Sequence, residues 1–265
     1  MLSDDEFRHL LQVLDRPWNG FRKVRKGVKK RVRRHMQAVG CTGMDAYLDL
    51  LRQHSEARAE CQRCLTVTIS RFFRDRMLWD HLHARVLPGL IKRYPERLVA
   101  WSAGCANGEE PYTLAMIWEN LAATQPSPPT LEILATDAEP GCVLRAETGR
   151  YPRSSFREMP EHYRKRWFHK VHGSRCWQLD AYLRTCVRWR VHQLLEDPPK
   201  RRFQLIFLRN NLLTYYQGPA VTAAMERITA SLTKGGVLVL GSHEQPPRLS
   251  IALARDPDCP WVYRI

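Results

Sequence analysis

The stretch WSAGCANGEEPY, residues 101–112, decides the fold. It follows the apolar run LVA, residues 98–100, contains two glycines, and ends in adjacent acids, a proline and a tyrosine. Glycine allows a tight turn and a close backbone approach to a ligand, and proline is tolerated in the first turn of a helix. A phosphate-binding loop would carry lysine or bare backbone N–H groups where Glu109 and Glu110 stand. We therefore predict a strand, a turn and a helix around a ligand other than a polyphosphate.

The rest of the C-terminal region also alternates between β-rich runs and helical stretches. Short β-rich runs are separated by helical stretches from about Arg97 onwards. The strand candidates are RLVAWSAG (97–104), LEILATD (131–137), CVRWRVHQ (186–193), FQLIFLRN (203–210), GGVLVLGS (235–242) and the closing WVYRI. Strands separated by helices predict an α/β fold with a mostly parallel, doubly wound sheet that carries helices on both faces.

The N-terminal region has a different periodicity. Its apolar residues recur every three or four positions without strand alternation, which predicts helices. The predicted helices cover residues 4–14, 21–39, 44–53 and 56–65. We therefore predict a small all-helical domain over residues 1–72, followed by the sheet domain over residues 73–265.

The predicted strand ends carry side chains suited to a nucleoside. In a parallel sheet, ligands bind beyond the carboxyl ends of the strands. Those ends carry, in chain order, Gly104, Asp137, Gln193 with Leu194, and Arg209 with Asn210. An acid can accept hydrogen bonds from ribose hydroxyls, and an amide beside an apolar side chain suits adenine. S-adenosylmethionine fits this set, because its sulfonium and ammonium groups are cations that Glu109 would attract. The alternative is a structural turn in which Asp137 only caps the next helix.

The charge of the chain predicts an acidic partner. The 265 residues carry a formal net charge of +15, which favours nucleic acid, a membrane surface or an acidic protein. Nine of the thirteen side chains in RKVRKGVKKRVRR, residues 22–34, are basic, and valines recur every four residues. A helix with this spacing can pack its valines on a core while it presents cations. We predict a docking helix with the contacts Arg22, Lys23, Arg25, Lys26, Lys29, Lys30 and Arg33. The alternative is a solvated face that keeps the protein in solution.

Composition excludes several classes of protein. With 44% hydrophobic residues the chain can bury a full core, and no apolar run is long enough for a membrane-spanning helix. The N-terminus lacks the pattern of a signal peptide, so we expect a cytoplasmic protein. The eight cysteines are too sparse for a disulfide scaffold, and the lone pair Cys61 and Cys64 lacks a second pair at zinc spacing. We therefore expect reduced thiols and no metal site.

The motifs together resemble a known family. WSAGCANGEEPYTLAM, LATDAEP, FLRNNLLTYY, SRFFRD and GSHEQ fall in the order and spacing of the CheR-type chemoreceptor glutamate O-methyltransferases. The resemblance spans nearly the whole chain and identifies it as a divergent member. It implies a class I S-adenosylmethionine-dependent methyltransferase sheet, Rossmann-like, after a helical domain, with a small inserted subdomain at about 151–185. It further implies S-adenosylmethionine as cofactor and a glutamate side chain on an acidic receptor helix as substrate.

The resemblance also implies roles for individual residues. The implied cofactor contacts are Thr68, Ser70, Arg74, Glu109, Asp137, Gln193, Leu194, Arg209 and Asn210, and the position of Gly104 after the first strand adds it to this set. The fork of donors on the Arg74 guanidinium also suits it to hold the substrate carboxylate. Thr68 and Ser70 stand where the family commonly shows Asn and Thr, and Gln193 replaces an Asn. The catalytic tyrosine of the family aligns with Thr214, so Tyr215 is the candidate for its role.

Two classes of reaction remain open on the sequence alone. Methylation of a glutamate needs no general base, because a carboxyl with a pKa of about 4.3 is already ionised at neutral pH. The alternative is a methyltransferase of the same fold that acts on nucleic acid, where the positive charge would contact phosphates, or on a small molecule. The run RNNLLTYY at residues 209–216 favours protein carboxyl methylation. A binding protein of this fold without catalytic activity is a third possibility.

Overall fold

The computed structural model describes residues 2–265 and separates them into two compact units. The helical unit comprises residues 2–68 with Leu213–Val221, and the sheet unit comprises Ile69–Leu212 with Thr222–Ile265. The chain thus leaves the helical unit after Thr68 and returns to it once, late in the sequence. Periodicity alone places a single boundary after residue 72 and gives no sign of this return.

The helical unit is built from four main helices and a short 3-10 helix. Their bounds are α1 Asp4–Val13, the 3-10 helix Trp18–Phe21, α2 Arg25–Ala38, α3 Met44–Gln53 and α4 Ser55–Leu65. Helix α1 begins with a capping box, because the Ser3 side chain accepts from Glu6 N while the Glu6 carboxylate accepts from Ser3 N. The returning segment carries most of α11 (Leu212–Tyr215) and the start of α12 (Pro219–Ala230).

The predicted helix at residues 21–39 is wrong at its N-terminal end. Phe21 closes the 3-10 helix and is fully buried, so the chain turns before α2 can begin at Arg25. The predicted valine stripe is confirmed within α2, where Val28 and Val32 are both 0% exposed. Burying such a side chain contributes about 1.5–3 kcal/mol, so this face anchors α2 and leaves its opposite face to solvent.

The sheet unit contains a seven-stranded sheet. Its strands are β1 Arg97–Ala103, β2 Thr130–Asp137, β6 Val187–Val191, β7 Phe203–Leu208, β8 Leu232–Leu240, β9 Ala254–Arg255 and β10 Val262–Arg264. They lie in the order β6-β2-β1-β7-β8-β10-β9. The first five of these are parallel, and β10 is antiparallel to both of its neighbours. The predicted α/β fold with a mostly parallel sheet is confirmed.

A second, three-stranded sheet lies within the predicted insertion. It comprises β3 Arg150–Pro152, β4 Phe168–Lys170 and β5 Cys176–Leu179, with β5 in the middle and antiparallel to both neighbours. The remaining helices are α5 Arg76–His81, a π-helical stretch Leu82–Val86, α6 Leu87–Arg93, α7 Glu109–Ala122, α8 Pro140–Thr148, the 3-10 helix Arg153–Phe156, α9 Glu161–Trp167 and α10 Ala181–Thr185. Within residues 2–265, none of the helices has both the length and the apolar character needed to cross a bilayer.

The strand order marks where a ligand should bind. Successive parallel strands run outward from β1 in one direction to β2 and β6, and in the other direction to β7 and β8. The order therefore reverses between β1 and β7. Crevices beyond the carboxyl ends of strands at such a reversal are the usual ligand sites of open α/β sheets.

Candidate functional site

The loop after β1 requires glycine at two positions. Gly104 and Gly108 have φ of 84° and 89°, the left-handed region that other residues rarely adopt. A Cβ at Gly104 would also overlap the side chain of Asn211. The backbone N–H groups of Gly104 and Cys105 donate to Thr136 O at 2.8 and 2.9 Å, respectively. The loop is therefore held against the end of β2, and its conformation depends on its glycines.

Asp137, at the end of β2, stabilises the same loop. Its Oδ2 accepts from Ala106 N at 2.8 Å, and its Oδ1 accepts from Glu139 N at 3.0 Å. Burial raises the pKa of this carboxyl, and the backbone hydrogen bonds oppose that rise. Each carboxylate oxygen has a second lone pair, so Asp137 can hold the loop and still accept from a ligand hydroxyl. The backbone N–H of His192 donates to Asp137 O at 3.0 Å, which brings the neighbouring Gln193 to this edge of the sheet.

Glu109 is a buried acid at the start of α7. The residue is 2% exposed, and its Oε1 accepts from the Ser155 hydroxyl at 3.2 Å. Its Oε2 is buried without a hydrogen-bond partner among residues 2–265. Burial raises the pKa of Glu109, while hydrogen bonds from its own backbone and from the Ser155 hydroxyl oppose the rise. A buried oxygen left unpaired costs about 1–3 kcal/mol or more, so a cationic donor would relieve this cost.

A network of charged side chains lies at the end of β7. The Arg209 side chain is 3% exposed and donates to Glu110 Oε2 at 3.0 Å and to Asp75 Oδ2 at 2.8 Å. It also donates to the backbone O of Arg74 at 3.0 Å. Glu110 in turn accepts from the Ser102 hydroxyl at 2.8 Å. Arg209 therefore connects β7, α7 and the segment before α5. This residue, predicted as a cofactor contact, thus has a structural role at the sheet edge.

Arg74 lies in a backbone segment of unusual conformation. Its neighbours Phe73 and Asp75 have φ of 56° and 62°, and such left-handed residues other than glycine are uncommon. The Phe73 N–H donates to the Thr113 hydroxyl at 3.2 Å. The Asp75 N–H donates to Glu158 Oε2 at 3.0 Å. These tethers hold both flanking residues and thereby present the side chain of Arg74.

The Arg74 guanidinium is partly buried and retains donors for a ligand. Its Nη2 donates to Asn210 Oδ1 at 2.9 Å, and its Nη1 donates to Ile69 O at 3.4 Å. Asn210 itself has a φ of 55°, and its N–H donates to Glu244 Oε2 at 2.8 Å. A guanidinium has five N–H donors, so this arrangement orients Arg74 without exhausting it.

Two acids outside the predicted site residues support this edge. Glu158 accepts from Asp75 N and pairs with Arg71 at 3.1 Å, although nothing in its local sequence signals this role. Glu244 accepts from both Asn210 N and Gly241 N at 2.8 Å, and so connects the ends of β7 and β8. The motif GSHEQ contains Glu244 and could have indicated it.

The other predicted site residues are distributed between the two units. Ser70 lies near the carboxylate of Glu109, whereas Gln193 is exposed and Leu194 half-buried just beyond β6. Thr68 is the last residue of the helical unit before the chain enters the sheet unit. Tyr215 belongs to the returning segment of the helical unit, where its ring centroid lies 5.3 Å from that of Phe21. Its catalytic role remains a prediction.

The predicted docking residues divide into two groups. Arg25 and Lys29 pair with Asp4 at 3.4 and 2.9 Å, and the Arg25 guanidinium lies 3.6 Å from the ring centroid of Trp18. The other predicted residues are exposed, namely Arg22, Lys23, Lys26, Lys30 and Arg33. We call these five residues the exposed basic patch. It is the part of the predicted docking surface that internal contacts leave available.

The chain has clear relatives. The family model described as the CheR methyltransferase SAM binding domain matches residues 68–253. A chemotaxis protein methyltransferase of Listeria monocytogenes is 38% identical over 181 residues, which cover 68% of this chain and 66% of that protein. The aligned part of the chain thus spans just under two thirds of that relative.

The chain is also similar to a second sequence relative and to a solved structure. A protein of Rhizobium etli described as "Probable chemotaxis protein methyltransferase" is 31% identical over 229 residues, covering 82% of this chain and 83% of that protein. Among solved structures, the N-methyltransferase NodS from Bradyrhizobium japonicum WM9 in complex with S-adenosyl-L-homocysteine gives a TM-score of 0.35 and 19% identity. That superposition covers 64% of this chain and 62% of NodS. The sequence matches carry the assignment: the chain belongs to the CheR methyltransferase family, and its sheet unit is an S-adenosylmethionine-binding domain.

Proposed function

We propose that this protein transfers a methyl group from S-adenosylmethionine to glutamate side chains on an acidic helix of a chemoreceptor in the cytoplasm, forming methyl esters. Arg74 carries the proposal, because its guanidinium is oriented by Asn210 at the end of the sheet and keeps donors for an acceptor carboxylate. The relatives named as chemotaxis protein methyltransferases support this choice of substrate.

The residues at the sheet edge fit this cofactor. The buried, unpaired Oε2 of Glu109 suits a cationic ammonium group, and the Asp137 carboxylate suits ribose hydroxyls. Gln193 and Leu194 are proposed to contact the adenine. When bound, the cofactor supplies an electrophilic methyl group on a positively charged sulfur. The acids around the loop suit that charge, whereas they would repel a pyrophosphate.

The remaining task of the protein is to position the acceptor. A glutamate carboxylate is already ionised at neutral pH, so no side chain has to remove a proton. Arg74 can hold the carboxylate through two donors and fix its approach. Orientation of this kind, with exclusion of water, can supply several orders of magnitude in rate. The exposed basic patch of the helical unit is proposed to bind the acidic face of the substrate.

The decisive experiment measures base-labile methyl transfer. Purified protein is incubated with S-adenosylmethionine carrying a labelled methyl group and with an acidic receptor-like helical peptide, an RNA or a small carboxylic acid. We expect label in the peptide that alkali releases, since esters hydrolyse in base and N-methyl groups do not. Arg74→Ala should lose at least about a hundredfold in turnover, and Arg76→Ala is the matched control on the same segment. Stable label in RNA would contradict the proposal, as would full activity in Arg74→Ala.

A further inference from the structure

The inserted subdomain contains a cleft that is separate from the predicted cofactor and catalytic residues. Its volume is about 640 Å³. It is lined by Arg153, Phe156, Arg157, Arg164, Lys170, Ser174, Arg175 and Trp177. None of these residues contributes to the sheet-edge site, and no acid is among them. Small-molecule sites commonly have volumes of about 300–1,000 Å³, so the cleft has room for a ligand of that size.

Most of the cations in this cleft have no ion-pair or hydrogen-bond partner among residues 2–265. Arg153, Arg157, Lys170 and Arg175 are exposed, and their side chains make no ion pair or hydrogen bond to any residue in the part of the chain that the structure describes. Arg164, by contrast, pairs with Glu161 at 3.5 Å. Four like charges around one cleft repel each other and attract an anion. This differs from the sheet edge, where Arg209 is already paired with acids.

Two aromatic rings form the apolar part of the cleft. Phe156 is 8% exposed and Trp177 is half-buried, with ring centroids 6.1 Å apart. The Arg164 guanidinium lies 4.6 Å from the ring centroid of Trp177. Aromatic rings beside cations are the elements that proteins use to stack a nucleobase and bind its phosphates.

We propose that this cleft binds a small phosphorylated ligand with a planar ring, of the nucleoside diphosphate class. Arginine presents a planar fork of donors that matches phosphate oxygens, and four unpaired cations suit a diphosphate better than a single carboxylate. The ring of the ligand packs against Trp177 or Phe156. The volume of the cleft, about 640 Å³, is that of a site for one small molecule.

Calorimetry with GDP as the probe tests the proposal. S-adenosyl-L-homocysteine is kept at saturating concentration so that the cofactor site cannot take the nucleotide. Pyrophosphate, guanosine and a hexaglutamate peptide are titrated in parallel at low ionic strength, because exposed charges are screened by salt. We expect GDP to bind more tightly than pyrophosphate and guanosine. Binding of hexaglutamate more tightly than GDP would overturn the proposal, as would no detectable GDP binding up to about 1 mM.

Variants locate the binding in the cleft. Arg153→Ser with Arg175→Ser should weaken GDP binding by roughly tenfold or more, since each contact to phosphate is a charge-assisted hydrogen bond. The matched control is Arg85→Ser with Arg248→Ser, which removes the same charge from exposed positions outside the cleft. Trp177→Leu should remove the preference for GDP over pyrophosphate. Equal weakening by the control pair would show a general charge effect and overturn the assignment.

Discussion

The sheet edge and the basic face of α2 both carry arginines, but the environments of these arginines are opposite. Arg209, at the end of β7, is 3% exposed at its side chain and pairs with two carboxylates. Arg33, a residue of α2 in the exposed basic patch, makes no ion pair with any residue from 2 to 265. The comparison shows that the number of cations in a sequence does not tell how many remain for a partner.

The physical reason is the cost of burial. A buried charge is tolerated only when partners replace the water it has lost, so the fold must supply those partners locally. Glu110 and Asp75 are the ion-pair partners of the buried Arg209. Asp4 pairs with Lys29 in a weaker, more exposed ion pair. The cations left outside such networks are the ones that can bind an acidic molecule.

The largest expected difference between the two regions is in stability. Arg209→Met should lower the free energy of unfolding by about 3–5 kcal/mol, because Glu110 and Asp75 would be left near each other without a cation. Arg33→Met should change the same quantity by no more than about 0.5 kcal/mol. Urea denaturation of both variants measures the difference. Equal stability would mean that the buried network does not hold the sheet edge together.

The next largest effect concerns cofactor affinity at the sheet edge. Asp137→Ala should weaken S-adenosylmethionine binding by roughly a hundredfold. The substitution removes the proposed hydrogen bonds to the ribose and also the hydrogen bond that holds the loop after β1. Calorimetry measures this, and the exposed Glu147→Ala on α8 is the control. Wild-type affinity in Asp137→Ala would contradict the assignment of this pocket.

A smaller effect is expected at Glu158, which acts only through its neighbours. Glu158→Ala should lower turnover by about tenfold at unchanged cofactor affinity, because Asp75 N and Arg71 lose their acceptor and Arg74 is held less firmly. Glu158→Gln keeps an acceptor for Asp75 N and should restore part of the rate. Failure of the conservative variant to do better than alanine would argue for a purely structural role.

The exposed basic patch should affect the substrate more than the cofactor. Lys26, Lys30 and Arg33 replaced together by Ser should raise the KM for an acidic helical peptide several-fold at low salt, and less at high salt, because exposed charges are screened. Cofactor affinity should not change. Removal of Arg85, Lys165 and Arg248 is the control with the same change in charge. A KM that rises equally in both variants would point to net charge alone.

The smallest expected effect is a dependence of cofactor binding on pH. Burial raises the pKa of Glu109 above its ordinary 4.5. A cation binds the ionised form, so affinity should rise as the pH rises through the raised pKa of the free protein and level off above it. The pKa values of Asp137 and Glu110 are raised for the same reason, so the comparison is between wild type and Glu109→Gln. An identical pH profile in the variant would remove Glu109 from the cation site.

Local pattern was sufficient for much of the fold. Alternating β-rich and helical runs indicate a parallel sheet whatever its surroundings, and a loop with Gly104 and Gly108 after a strand requires a turn at the sheet edge. The stripe of Val28 and Val32 likewise indicates a buried helix face. These inferences succeed because each depends on residues that are close in sequence.

The boundaries of the two units and the partners of the charged side chains could not be predicted from local sequence in the same way. The return of Leu213–Val221 to the helical unit depends on the packing of Tyr215 against Phe21, which are distant in sequence. The roles of Asp75 and Glu158 depend on a backbone that turns left-handed on both sides of Arg74. The spacing of apolar residues along the sequence does not indicate contacts of this kind.

The sequence by itself determined the class of fold, the acid-rich loop after the first strand and the position of the basic helix, because these follow from composition and short-range spacing. Only the tertiary structure decided which charges are buried and paired. Pairing depends on which side chains the fold brings together in space, and the solvation cost of a charge is set by that environment and not by its position in the chain.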